Sequence, residues 1–183
     1  MVTFVLLERL LNFKFHIMIT TTEVMVDKDL ANKKLTISKH FNAKPEAVWQ
    51  AWTKKEILDK WWAPKPWRSE TNKLDFKEGG SWQYAMIGPK NERQHGKFQY
   101  TKINAPKSFE GTDSFTDEKG FINSELPQAN WKNEFRSSGA GTDVKVTITP
   151  KTEGALEKLL EMGFEEGFKM GLGNLEEFFE ERQ

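Results

Sequence analysis

Histidine and cysteine, two residue types that carry much enzyme chemistry, are sparse in this sequence. The chain has 183 residues, with three histidines and no cysteine, which excludes a thiol nucleophile, a zinc–thiolate site and a disulfide framework. His95 lies beside Gly96 inside a predicted strand, where a neutral imidazole could orient a polar ligand group or act as an acid–base catalyst. A histidine that only packs in the structure is the alternative at this position.

No other pattern in the sequence predicts catalysis or metal binding. His16 and His40 have no partner at a metal-ligand spacing, and the sequence contains no His-Glu-x-x-His motif and no carboxylate loop. It also lacks the Gly-x-Ser-x-Gly turn and the phosphate-binding glycine loop. We therefore expect no metal and no cofactor, and we expect binding more than catalysis.

The chemistry that the sequence does offer is aromatic. Five of the seven tryptophans lie between Trp49 and Trp67. Each large ring has ~150–250 Å² to bury, so this group either fills a core or lines a place where an apolar molecule docks. The inward-facing aromatic positions that we expect to line such a cavity are Trp62, Trp82, Tyr84, Phe98, Tyr100, Phe164 and Phe168. Simple core packing is the alternative for each of them.

Alternation of apolar and polar residues predicts the strands that position these rings. Leu35 and Ile37 alternate with polar residues in a first strand. Further strands are expected at about 69–76, 81–87, 93–103, 109–116, 130–137 and 142–149, with turn residues between them. Connections of hairpin length imply an antiparallel sheet. The polar residues 20–32 predict a linker.

Two short helices are expected between the first and second of these strands. Pro45 suits the first position of a helix, because its fixed φ is helical and its missing N–H is not needed there. Thr53-Lys-Lys-Glu56 has the spacing of a capping box, which predicts the start of the second helix. That helix should end before Pro64.

The last thirty residues predict one long amphipathic helix that lies on the sheet. Gly163, Gly167 and Gly171 fall within its apolar arc, although each costs ~1 kcal/mol relative to alanine in a helix interior. Either the helix backbone packs directly against the sheet, or the missing side chains leave room for a ligand. Gly163 and Gly167 therefore join the cavity candidates.

Charge is balanced overall and uneven along the chain. Lys plus Arg equals Asp plus Glu at 27 each, so no global field attracts nucleic acid. The segment 32–73 carries ten basic and four acidic residues, whereas 153–183 carries nine acidic and three basic residues. These segments are either solvated faces of different sign or docking surfaces for a partner.

The first residues resemble a signal sequence only in part. Glu8, Arg9 and Lys14 interrupt the apolar run, which predicts neither secretion nor membrane spanning. Residues 1–32 are expected to be an N-terminal extension and linker, which is either an over-long start before Met18 or a helix that packs on a partner. Residues 33–183 should form one domain, and the absence of cysteine fits a cytoplasmic protein.

Several motifs occur in an order that resembles a known family. They are Pro45–Thr53, Leu58–Pro64, Leu74–Trp82, His95-Gly96, Asp113–Gly120 and Met162–Phe168. Over residues 33 to 181 the chain is similar to the START-like (SRPBCC) superfamily, in the branch related to the C-terminal domain of the activator of heat-shock protein 90 ATPase. The resemblance implies an α+β helix-grip fold, in which a curved antiparallel sheet wraps around a long C-terminal helix and two short helices follow the first strand.

Three functions fit these observations. The first is a cofactor-free, soluble protein that binds an apolar or aromatic small molecule between the sheet and the C-terminal helix, in the cavity that the resemblance implies. The second is a co-chaperone-like interaction module whose partner is a chaperone, and it follows from the resemblance and the uneven charge. The third, a polyketide cyclase or dehydratase-like enzyme that uses His95, is implied by more distant START-like relatives.

Overall fold

The computed structural model describes residues 23–182, which form one antiparallel sheet and four helices. The strands are β1 (Met25–Asp29), β2 (Lys34–Phe41), β3 (Arg68–Leu74), β4 (Ser81–Ile87), β5 (Arg93–Asn104), β6 (Ser108–Thr116), β7 (Gln128–Ser138) and β8 (Gly141–Pro150). The helices are α1 (Pro45–Thr53), α2 (Lys55–Trp61), α3 (Ala155–Glu161) and α4 (Phe164–Glu180). The curved sheet and its long C-terminal helix confirm the predicted α+β helix-grip fold.

The order of strands in the sheet explains how the helices come to cover it. The order is β1-β2-β8-β7-β6-β5-β4-β3, so β3 to β8 follow one another as a meander. Only the connection from β2 to β3 crosses the sheet, and it contains α1 and α2. These two helices therefore bring their aromatic residues over the strands of the meander. Among residues 23–182 the edges of the sheet are β1 and β3, and a register shift lies between Thr71 and Lys73 of β3.

The edge strand β1 differs from the sequence-based expectation, which placed residues 20–32 in a linker. Residues 25–29 pair antiparallel with β2, with Val26 opposite Ile37. β1 has polar residues on both faces. Backbone hydrogen bonds to β2 therefore hold this strand in the sheet more than burial of its side chains does. Residues 1–22, which include the predicted extension, and Gln183 lie outside the described residues.

The predicted capping box at Thr53 is wrong. Thr53 is the last residue of α1, and its hydroxyl donates to the carbonyl of Trp49 at 2.8 Å. Lys54 has an extended backbone and precedes α2 without a side-chain cap. The threonine lies one residue too early for the capping role, and its hydroxyl is already bonded within α1.

The predicted C-terminal helix is two helices, α3 and α4, with a break at Met162 and Gly163. Gly163 has a φ of +78°, a left-handed conformation that glycine adopts without steric cost. The amides of Met162 and Gly163 donate to carbonyls of Lys158 and Leu160, which closes the last turn of α3. Only two residues separate the helices, so the apolar periodicity continues across the break and hides it in the sequence.

The core has an aliphatic part and an aromatic part. Aliphatic side chains from β2, β8, α3 and α4 are fully buried; they include Leu35, Ile37, Val146, Ile148, Leu156, Leu172 and Leu175. The aromatic part lies over β4 to β7, below α1, α2 and the N-terminal half of α4. It contains most of the predicted site residues.

Part of the uneven charge of the sequence is paired within the fold. Lysines from the N-terminal half pair with glutamates of the C-terminal segment: Lys28 with Glu165, Lys33 with Glu153, Lys39 with Glu176 and Lys65 with Glu177. The Lys39 side chain is only 2% exposed and lies 3.0 Å from Glu176. The other three pairs are more exposed and contribute little free energy, whereas the buried Lys39 links β2 directly to Glu176 of α4.

Candidate functional site

The candidate site is the aromatic cluster, which we define as Trp52, Trp62, Trp82, Tyr84, Phe98, Tyr100, Phe109, Trp131, Phe164 and Phe168. Trp82 stacks on Tyr84 with ring centroids 4.3 Å apart, and Trp62 meets Trp82 edge-on at 4.8 Å. Phe164 and Phe168 of α4 contact Trp131 of β7 at 5.7 and 5.4 Å. The structure thus brings together all seven aromatic residues that the sequence predicted for the site.

Trp62 lies at the centre of the aromatic cluster and is only half-buried. Its ring contacts those of Trp52, Trp61, Trp82, Tyr84, Trp131 and Phe168, at centroid distances of 4.8 to 6.3 Å. It follows the last residue of α2, so it is directed differently from Trp61. Trp61 is 0% exposed, and its indole donates to the carbonyl of Ala51 at 2.9 Å.

The backbone around Trp62 is fixed by α4. Asn174 donates to the carbonyls of Trp61 and Ala63 at 3.4 and 3.0 Å. A Cβ at Gly171 would lie 3.2 Å from the carbonyl oxygen of Trp62, so close packing of the helix against this segment explains that glycine. The ring of Trp62 therefore extends from an anchored backbone.

The other two glycines of the predicted stripe do not border a space inside the fold. Gly163 is exposed and ends α3. Gly167 is half-buried, and a Cβ there would make an ordinary contact of 3.7 Å with Pro64. Their spacing of four residues has separate causes, so the expectation that they leave room for a ligand is not supported.

Two strand glycines hold the rings of the cluster in place, and the sequence analysis did not assign them this role. A Cβ at Gly96 would lie 2.4 Å from Cζ of Tyr84, and one at Gly111 would lie 2.2 Å from Cε1 of Phe98. Both rings therefore lie against the backbone of a neighbouring strand. A glycine in a strand interior often marks such close approach, which is the signal that could have found them.

The interior of the aromatic cluster is nearly filled. Its cavity has a volume of about 10 Å³ and is lined by Trp52, Leu58, Trp62, Trp82, Phe98, Tyr100, Phe109, Trp131 and Asn133. That is about the space of one water molecule. The aromatic cluster thus encloses no ligand-sized space in this conformation, because the rings themselves occupy it.

His95 is not part of the aromatic cluster. Tyr84, Gly96 and Phe115 are direct partners across β4, β5 and β6, so they share the inner face. Successive residues of a strand point to opposite faces, which places His95 on the outer face with Ala85. His95 therefore cannot act on a molecule bound in the interior without a rearrangement of β5.

An interior carboxyl group, that of Asp113, was not among the residues predicted from the sequence. This residue lies on the inner face of β6 opposite Phe98, and Tyr84 donates its hydroxyl to Asp113 Oδ1 at 3.4 Å. Burial of the carboxyl raises the pKa of Asp113 to about 7. Burial and then the charge of Asp113 raise the pKa of Tyr84 well above its usual range. The alternation Phe109, Gly111, Asp113 in the sequence is the signal that places this carboxyl inside.

Three buried polar atoms have no hydrogen-bond partner among residues 23–182. They are Trp52 Nε1, Asn133 Oδ1 and Ser69 Oγ. Trp52 and Asn133 line the central cavity, whereas Ser69 belongs to β3.

Within residues 23–182, no group of three or more histidine, aspartate and glutamate side chains is arranged to hold a metal ion. No helix described there is long and apolar enough to cross a bilayer.

The arrangement of one sheet closed over an aromatic interior by a C-terminal helix defines the helix-grip class of START-like domains. Residues 42–180 match the model of the family described as Activator of Hsp90 ATPase homolog 1-like protein. The match covers most of the chain, which therefore belongs to this family. The resemblance noted in the sequence is confirmed.

Solved structures with the same fold come from several bacteria. A protein from Arthrobacter aurescens is 31% identical, with a TM-score of 0.80, over 85% of this chain and 90% of that one. A protein from Mycobacterium smegmatis is 29% identical, with a TM-score of 0.79, over 85% and 96%. An AHSA1 protein from Silicibacter pomeroyi is 20% identical, with a TM-score of 0.65, over 82% and 99%, and it shows the fold alone. No functionally curated protein matches the chain.

Proposed function

We propose that the chain binds an apolar or aromatic small molecule between its curved sheet and α4, and that the ligand takes the place of the Trp62 ring. The observation that supports this proposal is the position of Trp62, which is half-buried at the centre of an aromatic cluster whose other rings, apart from Phe164 at its edge, are buried. It also lines the small central cavity. Movement of this one ring opens the interior from outside.

The contacts of Trp62 fit an exchange of one ring for another. An edge-to-face aromatic pair is worth ~0.5–1.5 kcal/mol beyond the surface that it buries, and a ligand ring in the same place regains those pairs. Asn174 and Gly171 hold the backbone, so the movement needs only rotation about the side-chain bonds of Trp62. The cost of exposing the indole makes us expect moderate affinity.

The proposal is tested with a panel of small aromatic and aliphatic compounds. Melting temperature and tryptophan fluorescence are measured for the wild type, for Trp62→Phe and for Trp67→Phe, which changes a tryptophan outside the aromatic cluster. A ligand should raise the melting temperature of all three proteins. The fluorescence change should be reduced in Trp62→Phe and retained in Trp67→Phe. If no compound changes either quantity at saturating concentration, the proposal is refuted.

A co-chaperone-like role is the second candidate, and membership of the family supports it. The uneven charge supports it only in part, because Glu153, Glu176 and Glu177 of the acidic C-terminal segment pair with lysines of the same chain. Binding of the purified protein to an Hsp90-type chaperone, with the ATPase rate as a second readout, tests this role. An unchanged rate and no binding at low salt would contradict it.

A cytoplasmic location completes the proposal. The sequence contains no cysteine, which fits a reducing compartment.

The enzyme alternative loses its support, because His95 is on the face of β5 opposite the aromatic cluster.

A further inference from the structure

Two deeply buried side chains that line the central cavity each carry a polar atom without a hydrogen-bond partner, one a donor and the other an acceptor. Trp52 is 3% exposed and Asn133 is 1% exposed. Trp52 Nε1 and Asn133 Oδ1 have no partner among residues 23–182. An indole N–H only donates and an amide oxygen only accepts. Burying either one without a partner costs the full loss of its hydration.

Both side chains are held in place by other contacts. Asn133 lies on the inner face of β7 opposite Phe109, and its Nδ2 donates to the carbonyl of Phe109 at 3.5 Å. This bond directs the amide group, so that Oδ1 remains as the acceptor. Trp52 comes from α1, and its ring contacts Trp61 at 4.9 Å and Phe135 at 5.6 Å. The donor thus comes from the helical side of the cavity and the acceptor from the sheet.

We propose that this cavity is a binding site for a single hydroxyl group between Trp52 Nε1 and Asn133 Oδ1. A hydroxyl can accept from the indole and donate to the amide oxygen at the same time. The volume of about 10 Å³ admits one water-sized group. A water molecule fills the site in the closed protein, and the hydroxyl of a ligand replaces it when the interior opens.

The second half of this inference rests on the proposed function and names the ligand class. Trp62 lines the same cavity as Trp52 and Asn133, so a ring that replaces Trp62 can place a substituent in it. An aromatic alcohol satisfies both polar atoms. A methyl group in the same place leaves both unpaired, and a site built for a hydroxyl rejects such an analogue strongly.

The water is tested first, on the protein without ligand. Cross-relaxation between water and each tryptophan indole proton is measured by nitrogen-15-edited NMR, and Trp52→Phe identifies the Trp52 signal. The Trp52 indole should show a cross-peak to a long-lived water. The Trp61 indole, which donates to Ala51, is the matched control and should show none. Absence of the Trp52 cross-peak, while the half-buried Trp67 indole shows one to water, would overturn the water site.

The hydroxyl preference is tested with phenol and toluene, which have similar size and differ in the group presented to Trp52 and Asn133. The wild type should bind phenol at least about tenfold more tightly than toluene. Asn133→Leu removes the acceptor, and Asn133→Ala removes it without adding atoms, so the comparison does not depend on one variant folding. Either variant should lose the preference and the Trp52 water cross-peak.

The outcomes separate this inference from the proposed function. Equal binding of phenol and toluene by the wild type would overturn the hydroxyl site and leave ligand binding intact. If neither probe binds, the ligand half of the inference fails together with the proposed function for this class. The NMR result on the protein alone then still decides whether the cavity holds a water.

Discussion

Trp61 and Trp62 are neighbours of the same residue type, and the fold uses them differently. Trp61 is fully buried, with its indole bonded to the carbonyl of Ala51. Trp62 is half-buried and surrounded mainly by other rings. Trp61, the last residue of α2, stabilises the core, whereas Trp62, the next residue, covers it. This comparison shows how an aromatic cluster can contain both fixed and exchangeable rings.

The largest effect is expected from Trp61→Ala. Removal of a fully buried tryptophan costs about 3–5 kcal/mol, and it also leaves the Ala51 carbonyl without the indole. Urea unfolding followed by circular dichroism measures the loss. Trp67→Ala, outside the aromatic cluster, is the control and should cost less than half as much. A loss below about 1 kcal/mol for Trp61→Ala would remove the difference between the two neighbours.

A smaller loss is expected from Trp62→Ala. The side chain is half-buried, so we expect about 2 kcal/mol instead of the full cost of a buried tryptophan. Free indole should enter the space and raise the melting temperature of Trp62→Ala, but not that of Trp61→Ala, whose space is closed. Recovery by indole in both variants, or in neither, would contradict the assignment of Trp62 as the exchangeable ring.

The stability of the protein should also depend on pH through Asp113, which accepts a hydrogen bond from Tyr84, a ring in contact with Trp62. Its pKa is about 7 in the folded protein against 3.8 for the ordinary side chain. The folded state therefore binds more protons between these values, and the free energy of unfolding decreases as pH rises from about 4 to about 7. Asp113→Asn should resemble the wild type near pH 4 and be more stable near pH 8.

We expect that difference at pH 8 to be between about 1 and 2 kcal/mol, less than the full shift would give, because Asp113 keeps some exposure. Melting temperatures at both pH values measure it. Asp27→Asn changes an exposed carboxyl of β1 and is the control, with little expected change. A stabilisation by Asp113→Asn that is equal at both pH values would show that the carboxyl does not titrate in this range.

The smallest effects are expected from two glycines of α4. A Cβ at Gly171 meets the carbonyl oxygens of Trp62 and Trp61 at 3.2 and 3.3 Å, whereas Gly173 has nothing within 4 Å. Gly171→Ala should destabilise by about 1 kcal/mol and shift Trp62. Gly173→Ala should stabilise by up to about 1 kcal/mol, because alanine has the higher helix propensity. Urea unfolding measures both changes. If Gly171→Ala and Gly173→Ala both stabilised or both destabilised the protein, the close approach of α4 to Trp62 would not explain the glycine at 171.

The sequence predicted most of the sheet, because alternation reports which face of a strand is buried. The strand expected at 81–87 is observed as β4, Ser81–Ile87, with the same bounds. It could not predict β1, because an edge strand held by backbone pairing needs no apolar alternation. It also could not show the break at Gly163, since the helical period resumes after two residues.

Seven of the ten rings of the aromatic cluster were expected inside the fold from the sequence, but Trp52, Phe109, Trp131 and the Asp113 carboxyl were not, and the filled state of the interior was not predicted. Alternation placed Trp82 and Tyr84 on the inner face, as observed. The same rule, applied to β5, places His95 on the outer face. Whether rings line a space or fill it depends on side-chain packing in three dimensions, which a pattern of residue types does not contain.

The two edges of the sheet have a consequence for the protein at high concentration. Unpaired edge strands are templates for the addition of strands from other molecules. Here β1 carries Asp27, Lys28 and Asp29, and β3 has its irregularity between Thr71 and Lys73. Charge on one border and a bulge on the other both disfavour the continuous pairing that fibrils require. An open sheet can therefore remain monodisperse without closing into a barrel.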